Sequence, residues 1–224
     1  MLYLFAFLTA LVSYLIGSIS GAIIISKKVS GSDIRESGSK NAGTTNMLRV
    51  HGKKLAILTL LVDVLKGVIA VLIGILIDFV LERQYGMKSF VSQSEWLVGN
   101  MKYIAAVFAI LGHDFPIYFG FKGGKGVATS IGVALVLDWK VGLVVMMAAL
   151  IIMATTRYVS LGSVIGAVIY PCIVAAFMLG MDKFNVIYLL CAVIIGLLII
   201  VKHKSNIERL KKGTENKLFE KKEK

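Results

Sequence analysis

Cysteine, histidine and acid are scarce here: the 224 residues include only two cysteines, three histidines and 13 Asp+Glu. Cys172 and Cys191 both lie inside apolar runs with no partner pattern. That excludes a disulfide framework and a zinc motif, and reads both as small packing residues. Internal repeats and low-complexity linkers are also missing, so the chain is neither a solenoid nor an array. Acid is outnumbered by 25 Lys+Arg, giving a formal net charge of +12. A balance of this size suits nucleic acid, anionic lipid or an anionic substrate, and its placement decides between them.

What is abundant is apolar sequence. The chain is 57% hydrophobic with a mean hydropathy of +0.82, which makes lipid the solvent for most of it. The runs 2–25, 55–80, 97–111, 127–137, 141–156, 161–180 and 184–201 predict an all-α integral membrane protein with seven transmembrane helices, some short, over a single domain 1–224. The first run is longer than a signal-peptide core and lacks a basic n-region, so it is read as a span. If 127–137 and 141–156 form a re-entrant pair, the count falls to five with the same parity. Asp63 and Lys66, at i and i+3 inside the second span, pair on one helix face.

The polar segments carry the charge asymmetrically. The loop 26–54 has seven Lys/Arg, 112–126 two, 157–163 one and the tail from Lys202 nine, 19 in all against Arg83, Lys88, Lys102, Lys140 and Lys183. Positive charge stays inside. The termini are therefore expected outside (N) and cytoplasmic (C), with every polar motif on the cytoplasmic face, which favours membrane and anionic substrate over nucleic acid.

Two of these segments are rich in glycine. Lys122-Gly-Gly-Lys-Gly126 sets Lys122 and Lys125 among Gly123, Gly124 and Gly126, just before an apolar helix from Val127. Backbone amides and ammonium groups can converge there on one anion; the alternative is a flexible turn with two snorkelling lysines. Lys125 is followed by glycine, not Ser or Thr, which excludes a P-loop. The second segment, 37–46, places Ser39, Asn41, Thr44, Thr45 and Asn46 around Gly43, with Arg49 one to two turns into a helix beginning near Thr45. Arginine grips phosphate in bidentate fashion, although a plain basic loop on anionic lipid explains the segment too.

Ser160 and Ser163 follow Arg157 at short helical spacing, as a shared site or a capped helix start requires. His203 and Asn206 lie on one face just past the last span, where the histidine is a base, a phosphate ligand or an interfacial residue. His51 reads as solvated, and His113 and Asp114, being adjacent, do not face each other. None of His51, His113 or His203 is followed five positions later by aspartate, and no Ser-His-Asp or Cys-His constellation is legible.

Together the segments resemble the acyl-phosphate-dependent glycerol-3-phosphate acyltransferases of bacterial inner membranes. The carriers are Gly38-Ser-Lys-Asn-Ala-Gly-Thr-Thr-Asn46 with Arg49, Asp63 with Lys66-Gly67, Gly112-His-Asp-Phe-Pro116 running to Phe121-Lys-Gly-Gly-Lys-Gly-Val-Ala-Thr129, Arg157-Tyr-Val-Ser160 with Ser163, and His203 to Leu210 with Gly213-Thr-Glu215. The resemblance implies a seven-helix bundle that uses acyl phosphate as donor and glycerol 3-phosphate as acceptor, with no coenzyme A, cofactor or metal. It implies an active site drawn from Ser39, Arg49, Lys122, Lys125, Ser160, His203, Asn206 and the glycine motifs. The expected enzyme is a monomer in the bilayer of the bacterial cell membrane. Lys40 and Thr44 depart from the family's usual glycine and alanine. The competing reading is a carrier for phosphate or a small anionic metabolite, which needs polar groups at the midplane reachable from both faces.

Overall fold

A computed structural model of the chain describes residues 1–85, 95–180 and 184–218. Lys88, the turn expected at Met181-Asp-Lys183 and the tail beyond Leu218 lie outside the described residues. Every regular element among those described is helical. The chain divides into two compact units, Met1–Asp138 and Trp139–Lys224.

The first unit contains α1 (Leu2–Gly17), α2 (Gly21–Ser30), α3 (Thr44–His51), α4 (Lys53–Tyr85), α5 (Met101–Asp114) and α6 (Val127–Leu137). Along α4, Ile57, Leu61, Leu65, Leu72, Leu76 and Phe79 are exposed, while Asp63, Lys66, Val71, Asp78 and Leu81 are buried. This is the pattern of a helix with one face to lipid and the other to its neighbours. Small residues let those neighbours approach closely. Gly17 of α1 lies on the Ala109 carbonyl of α5, Gly112 returns the contact against the Tyr14 carbonyl, and Gly67 and Gly132 do the same between α4 and α6. Gly112, at the head of the glycine and lysine stretch, therefore serves helix packing. The break between α1 and α2 is capped by the Ser20 hydroxyl, which accepts from the Ile23 amide. The Ile19 carbonyl exposed there accepts from Lys66 Nζ at 2.8 Å.

The second unit contains α7 (Trp139–Thr156), α8 (Val159–Gly180), α9 (Val186–Lys202) and α10 (Lys204–Lys211). Helix α8 packs on both α7 and α9. Arg157 turns the chain from α7 into α8 with φ at +61°, and α10 departs from α9 at 60°.

The seven-span expectation is corrected. Among the described residues four helices, 2–30, 53–84, 139–156 and 159–180, are long and apolar enough to cross a membrane, or five if the bent pair α9 and α10 is one span. The runs expected at 97–111 and 127–137 become α5 and α6, of 14 and 11 residues. At 1.5 Å per residue they reach only ~21 and ~17 Å across a core of ~30 Å. The seven-helix count treated every apolar run as a crossing; length rules these two out.

Candidate functional site

In the first unit, the 37–46 loop is organised by one side chain. Asn46 is buried, its Oδ1 accepts from the Ser39 amide at 2.8 Å, and its Nδ2 faces the carbonyls of Ile34, Ser37 and Asn41 at 3.0–3.1 Å. Sequence reading assigned Asn46 to substrate; the structure occupies its amide within the loop. Ser39 and Arg49 are exposed, Asn41, Gly43 and Thr45 half-buried. Arg49 stands in the last turn of α3, which begins at Thr44. Lys40 adopts φ +58°, a left-handed conformation that glycine takes at lower cost than lysine.

The 112–126 stretch lies directly against that loop. A Cβ on Gly124 would meet the Ala42 carbonyl at 2.7 Å and collide with His113 Nε2, and one on Gly123 would strike the His113 carbonyl. The amides of Gly123 and Gly124 donate to the carbonyls of Asp114 and His113 at 3.3 and 3.1 Å. These two glycines thus close the end of α5 instead of aiming amides at a ligand. Gly126 caps α6 at φ +73°, so the first-turn amides of that helix open at this loop. Lys122 is exposed and Lys125 half-buried. Beneath them, Lys66 Nζ lies 2.9 Å from Asp63 Oδ1, the pairing expected from their spacing, and His113 Nδ1 lies 3.6 Å from the same oxygen.

Sequence reading missed the link between the loops. Arg35, counted only as charge, places Nε and Nη2 on the Asp33 carboxylate at 3.0 and 2.8 Å, and Nη1 on the carbonyls of Phe119 and Lys122 at 2.7 and 2.9 Å. The hydrogen bond from Arg35 holds the Asp33 carboxyl down at about 2. The local Asp-x-Arg spacing was visible; the partners more than 80 residues away were not.

In the second unit, His203 is buried at the bend between α9 and α10, with Nδ1 2.8 Å from the Ile199 carbonyl. A carbonyl only accepts, so Nδ1 donates the proton of that contact. Asn206 Nδ2 donates to Glu215 Oε1 at 2.6 Å, Ser160 Oγ to the same oxygen at 2.8 Å, and Arg209 Nε to Oε2 at 2.7 Å. Burial pushes the Glu215 carboxyl up, but the hydrogen bonds from Asn206, Arg209 and Ser160 outweigh it and hold the group below the usual range. Ser163 bonds back to the Val159 carbonyl of its own helix, so the two serines share no partner. Glu215 was visible only as part of the Gly213-Thr-Glu215 motif.

The fold and these loops define a class: an all-α, multi-pass membrane protein whose first unit presses two glycine-rich, lysine-bearing segments together. Residues 7–213 match the family described as Glycerol-3-phosphate acyltransferase, and the chain belongs to that family. The glycerol-3-phosphate acyltransferase of Shouchella clausii (strain KSM-K16) is 43% identical over 213 residues, covering 95% of this chain and 96% of the relative. That of Thermoanaerobacter sp. (strain X514) is 40% identical over 221 residues, covering 98% and 99%. A crystal structure of PlsY (YgiH), an integral membrane glycerol 3-phosphate acyltransferase in its glycerol 3-phosphate form, superposes with a TM-score of 0.77 at 35% identity, over 95% of each chain. The chain is therefore an enzyme, a multi-pass bacterial membrane acyltransferase of phospholipid synthesis, and the carrier reading is set aside.

Proposed function

We propose that residues 1–224 work as one acyltransferase domain that joins its substrates by direct transfer, without an acyl-enzyme. The enzyme moves a fatty acyl group from acyl phosphate to the 1-hydroxyl of sn-glycerol 3-phosphate, giving lysophosphatidic acid and inorganic phosphate. The hydroxyl oxygen attacks the acyl carbon, the bond from that carbon to the phosphate oxygen breaks, and the proton passes to His203 or to a substrate phosphate. No coenzyme A and no metal enters that balance.

An acyl phosphate is already activated, so the protein's task is to hold two anions and stabilise the phosphate that leaves. Holding donor and acceptor side by side supplies ~7–11 kcal/mol of barrier reduction. Ser39, Arg49, Lys122, Lys125 and the first turn of α6 are the phosphate-binding groups of the first unit, with developing charge stabilised in a partly dried site. In the second unit the roles fall to His203, Asn206 and Ser160. The single observation that carries this reading is the direct packing of the 37–46 and 122–126 loops, Ala42 carbonyl against Gly124. The enzyme acts as a monomer; its N-terminus lies outside and its C-terminus and the 26–54 and 157–163 segments are cytoplasmic, an orientation supported by the excess of Lys/Arg in those segments and the tail.

The test is Lys122→Ala combined with Lys125→Ala in purified protein. kcat/KM is expected to fall about 100- to 1,000-fold with the thermal midpoint retained. Full activity would remove the loop from the site, and a labelled acyl-enzyme formed from donor alone would contradict direct transfer.

A further inference from the structure

Arg35 lies outside every group given a chemical role above, yet its guanidinium makes four hydrogen bonds. Its neighbours hold it rigidly: Asp33 caps its amide at 3.0 Å, Ile34 before it is buried with its amide on Ser26 Oγ at 3.1 Å, and the Ile34 carbonyl accepts from Asn46. From this fixed base the guanidinium reaches in two directions. One edge forks onto the Asp33 carboxylate; Nη1 takes the carbonyls of Phe119 and Lys122, which flank two successive left-handed residues, Gly120 and Phe121, at φ +66° and +59°. The amides of Phe121, Gly123 and Gly124 bond back to the carbonyls of Pro116, Asp114 and His113, and Arg35 supplies a donor to the carbonyls of Phe119 and Lys122, which ties the turn to the 33–46 segment. The planar fork of arginine meets a carboxylate and two carbonyls at once; an ammonium is a point charge without that geometry.

We propose that Arg35 is a positioning residue for the transfer reaction: by bridging Asp33 to the carbonyls of Phe119 and Lys122 it fastens the 33–46 segment to the 122–126 loop and sets where the Lys122 ammonium stands. It touches no substrate itself. The inference rests on the reading of Lys122 as a phosphate-binding cation, and it makes a claim that reading does not: Arg35 acts through Lys122.

A double-mutant cycle separates the two. Purified Arg35→Ala, Lys122→Ala and the double variant are assayed for kcat and for KM toward acyl phosphate and glycerol 3-phosphate, alongside thermal midpoints. Arg35→Ala is expected to lower kcat/KM about 10- to 100-fold, the scale of a misplaced catalytic group, but less than about 2-fold in the Lys122→Ala background, because residues acting as one unit are non-additive. Arg35→Lys, keeping the charge without the fork, falls between Arg35→Ala and the unaltered enzyme. Should Arg35→Ala not fold, Arg35→Lys and Asp33→Asn go through the same cycle with the same non-additivity expected. Equal losses with and without Lys122, or no loss at all, overturn the inference and leave the site reading standing if Lys122→Ala alone is defective. A fully active Lys122→Ala overturns both.

Discussion

At the scale of one residue, Lys40 stands in a backbone conformation that suits another residue better. Its φ of +58° lies where an L-residue is disfavoured by ~1–2 kcal/mol, and where glycine is free but loses ~0.5–1 kcal/mol more entropy on folding. The difference favours glycine, so Lys40→Gly is expected to stabilise the protein by up to about 1 kcal/mol, read as a rise of the thermal midpoint in detergent. A fall would show that the lysine makes a compensating interaction. Residue chemistry was partly legible in advance: the Asp63 and Lys66 pair followed from i,i+3 spacing alone. The roles of Arg35, Asn46 and Glu215 did not, because each depends on partners that only the folded chain brings near, across 84 residues for Arg35 to Phe119 and 55 for Ser160 to Glu215.

At the scale of elements, glycine-rich segments that look like anion loops divide their work. Gly126 opens a helix, whereas Gly123 and Gly124 give their amides to the end of α5 and let it lie beneath the loop. Sequence alone cannot distinguish a glycine that admits a ligand from one that admits a neighbouring backbone, since both need a missing Cβ. Gly124→Ala places a methyl group against His113 Nε2 and the Ala42 carbonyl, and backbone cannot swing aside as a flexible side chain would. Overpacking of this kind costs ~1–3 kcal/mol, and here it displaces both loops. Activity is expected to fall at least ~100-fold with a lowered thermal midpoint, while Gly180→Ala, with open space around its Cα, leaves both unchanged. An active, stable Gly124→Ala enzyme would contradict the packing described.

On the scale of the whole molecule, apolar runs told which parts are helical, and the basic segments told where the polar chemistry is. They did not tell how many helices cross. Helices α5 and α6 are apolar because the first unit buries them, with Ala105, Ala106, Ala109 and Ile110 of α5 fully enclosed, and a buried helix of 14 residues reads like a crossing of 20 when only its composition is seen. The central claim is that this membrane protein makes lysophosphatidic acid from an acyl phosphate. Purified protein in lipid or detergent is given a long-chain acyl phosphate and glycerol 3-phosphate, with acyl-CoA as the control donor, and lysophosphatidate and released phosphate are both quantified. The account predicts equal amounts of the two products from acyl phosphate and none from acyl-CoA; no product from acyl phosphate would contradict it.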